Sequence, residues 1–402
     1  MDISKKEIED ARETLKNVAY KTELAYSNTL SGMTGNSVYL KMENYQRTGS
    51  FKLRGAYNKI FNLSEKEKGL GVVASSAGNH AQGVALSATL LNVKSFIVMP
   101  SKASIVKVKA TKSYGANVIL QGDSFDEANE AARKLQEEKK LVLVHPYNDL
   151  DVIAGQGTIG LEILEDMPDV DVIVVPVGGG GLISGIAIAA KQIKPSVKII
   201  GVEAKNMPSM KEALLSGAPS FYKGSPTIAD GIAVGKPGEI TFEIIKKYVD
   251  DIVLVDEDEI ADAILVLMER IKTISEGAGA TSVAALLYRL KDYSNKKIAA
   301  VISGGNIDIN MVSRIINKGL VKSFRKASFK VVLSDRPGSL WKLLQLVADS
   351  GANVLSVFHN RERGDINLGS AEVIIDLEVF DRDHIYNIKT LLENQQYEVK
   401  LI

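Results

Sequence analysis

Along most of the chain, short apolar runs alternate with longer stretches in which apolar positions recur at helical spacing. The runs at 72–74, 95–99, 117–120 and 141–144 are rich in valine, isoleucine and leucine, and they read as buried strands. Between them lie segments such as 123–139, where Ser124 and Glu127 have the spacing of a capping box. A second series follows at 172–177, 197–202, 252–255 and 298–302, each run leading into a helical pattern. Repetition of strand and helix in this way predicts parallel sheets covered by helices, here in two α/β lobes. An amphipathic helix over about 5–16 precedes both series. The run Ser37-Val38-Tyr39-Leu40-Lys41-Met42-Glu43, after the turn signal Gly35-Asn36, predicts one more strand.

Around Lys322 to Lys326 a basic, polar stretch breaks the alternation. Residues 327–402 then read strand, helix, strand, strand, helix, strand, which is a ferredoxin-like order in a segment the size of a small domain. One uncharged run, 172–190, is long enough to span a membrane, but Pro176 and the glycines Gly178 to Gly181 interrupt it. A buried strand, turn and helix explain it better.

Composition narrows the function. The 402 residues carry 49 basic and 49 acidic side chains, so neither nucleic acid nor an anionic membrane surface is the expected partner. Small molecules are. With no cysteine, disulfides, thiolate metal sites and a cysteine nucleophile are excluded, and four scattered histidines (His80, His145, His359, His384) lack paired metal spacing. No metal is expected. The first ten residues alternate charge with apolar positions and contain no apolar core like that of a signal peptide, so a cytoplasmic protein is expected.

The candidate chemistry starts at Gly49-Ser50-Phe51-Lys52-Leu53-Arg54-Gly55-Ala56. Most lysines are solvated surface charges. Lys52, however, stands between Phe51 and Leu53 near a helix start, and burial of a lysine lowers its pKa and makes the amine a nucleophile, so it reads as a Schiff-base lysine. Gly178-Gly179-Gly180-Gly181-Leu182 lies between an apolar strand and an apolar helix. Such a turn lets backbone N–H groups and a helix N-terminus converge on a phosphate, and flexible linkers are not flanked by core on both sides. It ends neither as a Walker A loop nor as a dinucleotide fingerprint, so a single phosphate monoester fits best. Ser75-Ser76-Ala77-Gly78-Asn79-His80 and Ile302-Ser303-Gly304-Gly305-Asn306 occupy two further strand ends, where α/β proteins place ligands. Taken alone, the first is an ordinary helix cap and the second an ordinary turn.

Together these four motifs, in this order, resemble the pyridoxal-phosphate enzymes of the tryptophan-synthase β-subunit fold type, and most closely the threonine dehydratases (threonine ammonia-lyases). The resemblance implies a two-lobed fold type II catalytic domain over 1–322, its small lobe at about 53–148. It implies pyridoxal 5'-phosphate held on Lys52, which then serves as base at the substrate Cα. Gly178, Gly179, Gly180, Gly181 and Leu182 would hold the phosphate, Asn79 the ring hydroxyl and Ser303 the ring nitrogen, with Phe51 packed by the ring. Ser76, Ala77, Asn79 and His80 would surround the substrate carboxylate. Glu276 matches a glutamate near the cofactor in this family, while a helix-start acid is the plainer reading. A hydroxyl at the ring nitrogen limits electron withdrawal and favours β-elimination over transamination. The activity implied is deamination of L-threonine, and also L-serine, to a 2-oxo acid and ammonia, with the cofactor phosphate as the acid the family suggests. Both a place in isoleucine synthesis and one in threonine breakdown are compatible with these motifs.

Serine racemase shares the fold and needs a second acid/base on the opposite face of Cα. The serine that precedes the Gly-Asn pair there is Ala77 here, and an acidic residue of the racemase cation site is missing after Glu203. A non-catalytic amino-acid sensor is the other alternative; the intact Lys52 and glycine run speak against it. Leu333-Ser334-Asp335-Arg336-Pro337-Gly338-Ser339-Leu340 and Ser350-Gly351-Ala352-Asn353-Val354 resemble an ACT domain over 327–402. That resemblance implies a branched-chain amino-acid effector, isoleucine or valine, bound at Asp335, Gly338 and Asn353 against a neighbouring copy, and so a homo-oligomer, dimer or tetramer.

Overall fold

The computed structural model describes residues 3–362 and 367–402. The chain divides into two units, Met1–Asp308 and Ile309–Ile402. The helix Ile309–Lys322, which the sequence reading joins to the first domain, groups with the second unit.

The first unit contains two sheets. In the larger, the strand order is Leu24–Tyr26, Ser37–Lys41, Lys297–Val301, Val172–Pro176, Lys198–Ala204 and Asp251–Val255. The first pair is antiparallel and every later pair parallel. Its central strands are buried but for Lys297 at the start of one, which is why they read as apolar runs. The core here is built from Ile173, Val175, Ile183, Ile186, Phe242 and Val301 among others. The run 172–190 is the strand Val172–Pro176, a glycine turn and the helix Gly181–Ile193, and no helix among the described residues is long and apolar enough to cross a membrane.

The smaller sheet is parallel, in the order Asn117–Leu120, Ser95–Met99, Val72–Ser75, Val142–Leu143. Val72 and Ala74 pack on one side with Ala56, Ile60, Val84 and Ala85, and Val73 packs on the other with Ala128, Ala131 and Ala132. That two-sided burial is the period-2 alternation of a strand, hidden in the sequence because both faces are apolar. Ser124 caps the helix Phe125–Lys139 as its spacing predicts, but the Glu127 carboxylate returns to the N–H of Asp123 rather than to that of Ser124, so half of the box forms.

The helix Lys52–Phe61 is anchored by buried charge. All the N–H groups of Arg54 are used: Nε and Nη2 on Glu43, Nη1 and Nη2 on Glu162, with further bonds to Thr158 Oγ1 and the Tyr20 carbonyl. Lys41 Nζ, also fully buried, donates to Glu162 at 2.6 Å and to the Thr22 carbonyl at 2.6 Å. Strand Ser37–Lys41, the turn at Glu43 and helix Leu150–Asp166 are thereby tied to the helix that begins with Lys52.

The second unit, after its leading helix, has the order the sequence predicts: strand Lys326–Ser334, helix Ser339–Asp349, strands Asn353–Asn360 and Ser370–Glu378, helix Arg382–Asn394 and strand Glu398–Leu401. All pairings are antiparallel, and Phe329, Val331, Leu343, Val373, Ile375 and Ile388 form its core.

Candidate active site

A cavity of about 870 Å³ opens within the first unit, lined by the ends of strands from both of its sheets. Lys52 sits in it as the first residue of its helix, approached through Gly49 at φ 71°. Its Nζ donates to the Pro146 carbonyl at 2.9 Å and lies 5.2 Å from the centroid of the Phe51 ring. Burial lowers its pKa to about 8, against the opposing pull of the Glu276 carboxylate. Of the two neighbours, Phe51 lines the cavity with Lys52, whereas Leu53 points into the core.

The glycine turn follows Pro176 at the same opening. Gly180 has φ 95° and starts the helix Gly181–Ile193, whose N-terminus carries no side-chain cap. A Cβ on Gly179 would stand 2.3 Å from the Tyr147 ring, so this backbone approaches its neighbour as closely as glycine permits. Uncapped N–H groups at a helix start facing a cavity form an anion cradle. Gly178, Gly179, Gly180, Gly181 and Leu182 all line it.

The loop after strand Val72–Ser75 lies at the other side. The helix Asn79–Leu90 has no side-chain cap, and Ser76 Oγ instead accepts the Gly78 N–H at 3.2 Å. The plain-cap reading of this loop thus does not describe it. Asn79 Nδ2 donates to Glu276 Oε1 at 2.7 Å. Burial, with the nearby charge of Asp230, pushes the Glu276 carboxyl up to about 7. His80 is 4% exposed, its Nε2 bonds the Val144 carbonyl at 2.8 Å, and burial followed by the Lys52 charge lowers its pKa to about 3. The ring is neutral and committed as a donor to Val144, so what His80 can offer an anion is its backbone N–H. Ser76 and Ala77 line the cavity too, as does Ser303, 3% exposed, whose own carbonyl accepts the Phe51 N–H at 3.1 Å.

Several residues entered the site without being singled out. The loop His145-Pro146-Tyr147-Asn148 supplies the carbonyl under Lys52 and the ring against Gly179. His145 Nδ1 accepts the N–H groups of Tyr147 and Asn148 at 3.3 and 2.9 Å, and burial, then the Lys52 charge, lowers its pKa to about 4. Its position directly after an apolar strand was the available signal. Ser75, whose buried Oγ has no partner, and the ion pair Lys107–Asp230 at 2.9 Å also border the cavity. Glu203, by contrast, is spent on the N–H groups of Met210 and Lys211, at 2.9 Å each.

The residues present fit a phosphate-bearing aldehyde: an uncapped glycine cradle for the phosphate, a desolvated amine for the carbonyl carbon, and an amide and a hydroxyl for ring substituents. Comparison with known proteins agrees. Residues 15–304 match the family of pyridoxal-phosphate dependent enzymes. The chain is 57% identical over 400 residues to an L-threonine ammonia-lyase of Thermotoga maritima, covering 100% of both proteins. The processed form of threonine deaminase isoform 2 from Solanum lycopersicum has a similar structure, with a TM-score of 0.75 and 40% identity over 78% of this chain and 87% of that one. Maize serine racemase also has a TM-score of 0.75, at 36% identity over 80% of this chain and 99% of its own.

Proposed function

Because the chain belongs to the family of pyridoxal-phosphate dependent enzymes, we propose that its first unit deaminates L-threonine to 2-oxobutanoate and ammonia by β-elimination, and acts on L-serine in the same way. The observation that carries this reading is the desolvated amine of Lys52 at the meeting point of a glycine cradle and an amide-bearing loop. Pyridoxal phosphate, when bound, supplies the electron sink that makes the substrate Cα acidic. Gly178 to Leu182 hold its phosphate, Asn79 its ring hydroxyl and Ser303 its ring nitrogen, with Phe51 beside the ring. The backbone N–H groups of Ala77, Asn79 and His80, with the Ser76 hydroxyl, orient the substrate carboxylate. Lys52 takes the Cα proton: with its pKa lowered to about 8, roughly a tenth of the amine is unprotonated at pH 7, several hundred-fold more than at the ordinary 10.5. The β-hydroxyl departs as water, and the enamine so released takes up water to give the oxo acid and ammonia. The test is oxo-acid release from purified protein with pyridoxal phosphate and L-threonine or L-serine, following the chirality of residual serine. 2-Oxobutanoate from threonine is expected. D-Serine without oxo acid would mean racemisation instead, which Ala77 at the cavity wall, having no proton to exchange, argues against.

Two further results are expected. Brief acylation of cofactor-stripped protein, read by peptide mass spectrometry, labels Lys52 with a pH midpoint near 8, whereas a midpoint near the ordinary 10.5 would contradict its desolvation. Gly179→Ala sets a methyl group against the Tyr147 ring. Relief of that overlap displaces the cradle and weakens pyridoxal phosphate by about 10- to 100-fold in a binding titration.

We assign the second unit, from its βαββαβ order, as an ACT-type module that binds isoleucine or valine at Asp335, Gly338 and Asn353 and regulates the enzyme as a homo-oligomer, dimer or tetramer, in the cytoplasm. Gly338, at φ 86°, precedes a helix start without a side-chain cap, Asp335 pairs with Arg361 at 2.9 Å, and Asn353 Nδ2 donates to Glu378 at 3.3 Å. Threonine kinetics that are the same with and without either ligand would count against this assignment.

A further inference from the structure

The turn that carries Ser303 ends in Asn306, a side chain whose amide nitrogen makes two bonds at once. Asn306 Nδ2 donates to the Thr48 carbonyl at 2.7 Å and to Asn79 Oδ1 at 2.8 Å. The other end of the Asn79 amide is held as well, because its Nδ2 donates to Glu276 Oε1 at 2.7 Å. A planar amide gripped through its oxygen by a donor and through its nitrogen by a carboxylate has one orientation. Turned over, it would set N–H against N–H at Asn306, and oxygen against oxygen at Glu276 whenever that carboxyl is ionised. One N–H of Asn79 then remains uncommitted, and with the oxygen turned to Asn306 it is the donor that Asn79 offers on the Glu276 side of the cavity.

The same carboxamide reaches the loop that leads to Lys52. Gly49 takes φ 71°, and a Cβ there would lie 2.5 Å from Asn306 Oδ1, so the side chain is seated directly on this loop. Backbone bonds fix the seat: Gly305 N–H donates to the Gly49 carbonyl at 2.9 Å, and Phe51 N–H to that of Ser303 at 3.1 Å. One residue therefore touches both the approach to Lys52 and the asparagine across the cavity.

We infer that Asn306 is a positioning residue, whose carboxamide orients Asn79 so that an N–H rather than the oxygen meets the ring hydroxyl of the cofactor, and keys that orientation to the loop preceding Lys52. The inference rests on the reading that Asn79 contacts this hydroxyl.

The test compares the holoenzyme with Asn79→Ala, Asn306→Ala, the double variant and Asn306→Asp, which keeps the size of the side chain but turns an acceptor toward Asn79 Oδ1. Two quantities are read, neither of them turnover: the pH midpoint of the visible absorbance of bound pyridoxal phosphate, and its dissociation constant from titration of the cofactor-free protein. Asn306→Ala and Asn306→Asp are expected to move the midpoint in the same direction as Asn79→Ala, and to weaken the cofactor about tenfold, the loss of one hydrogen bond. The double variant is expected to match Asn79→Ala alone, since Asn306 acts through Asn79. Additive shifts in the double variant, or a wild-type midpoint in both Asn306 variants, would overturn the inference while leaving the role of Asn79 intact. An unmoved midpoint in Asn79→Ala would instead remove the contact with the ring hydroxyl, and the role of Asn306 with it. Failure of both Asn306 variants to fold would make the residue a support of the loop and not of an orientation, which also overturns it.

Discussion

Lys52→Ala is expected to reduce 2-oxobutanoate release from threonine by about 10³-fold or more, the range lost when a positioned proton-transfer group is deleted. The amine has one protein hydrogen bond, to the Pro146 carbonyl, and is held in an environment that disfavours its charge. Removing it therefore leaves little behind that needs a partner. The thermal midpoint of the cofactor-free protein is expected to stay within a few degrees of wild type, and the variant separates chemistry from folding. Lys52→Arg is expected to be equally inactive, because a guanidinium keeps its proton at any working pH and cannot serve as base. Turnover within tenfold of wild type in either variant would end the proposed mechanism.

Arg54→Met is expected to cost stability rather than chemistry directly. The guanidinium neutralises Glu43, which is 0% exposed, and shares Glu162 with Lys41. Truncating one member of a buried ion network strands the others, at about 3–5 kcal/mol. Glu43 bears most of that loss, since Glu162 keeps Lys41. At about 2–4 °C per kcal/mol, the melting midpoint falls by roughly 10 °C. Adding Glu43→Gln to Arg54→Met is expected to restore part of the loss, as the stranded charge disappears. A change smaller than about 1 kcal/mol in Arg54→Met would show that the network contributes little. Arg54 is two positions from Lys52 on the same helix, so the variant should also lose turnover at temperatures well below its melting point.

Much of this architecture was legible because it is local. The runs at 172–177 and 298–302 became the buried strands Val172–Pro176 and Lys297–Val301, and the glycine run announced itself by the core on both sides of it. What stayed hidden depends on long-range partners. By its local pattern alone Glu276 is a helix-start acid, and only the resemblance set it near the cofactor; its partner Asn79 lies 197 positions away. Arg54 belongs to the lysine motif in the sequence, yet its burial depends on Glu162, 108 positions later, and nothing local overrides the expectation that arginine is exposed. The strand Leu24–Tyr26 is too short for any periodicity. The polar stretch at 322–326 marks a change of composition, whereas the chain divides at 308, because the helix Ile309–Lys322 has an amphipathic pattern that fits either neighbour.

The order of strands in the large sheet has a consequence for biosynthesis. Lys297–Val301 lies between Ser37–Lys41 and Val172–Pro176, so the two earliest strands of that sheet and the three middle ones meet only through a strand made near the end of the first unit. At roughly 5–20 residues per second on the ribosome, Ser37–Lys41 waits for its neighbour while the whole smaller sheet, complete by Leu143, has time to form. A nascent chain that stalls before Lys297 carries two open strand edges facing one another across a gap of one strand. Open edges of this kind are expected to draw chaperones or a second stalled copy, and the last strand of this sheet to emerge closes the gap.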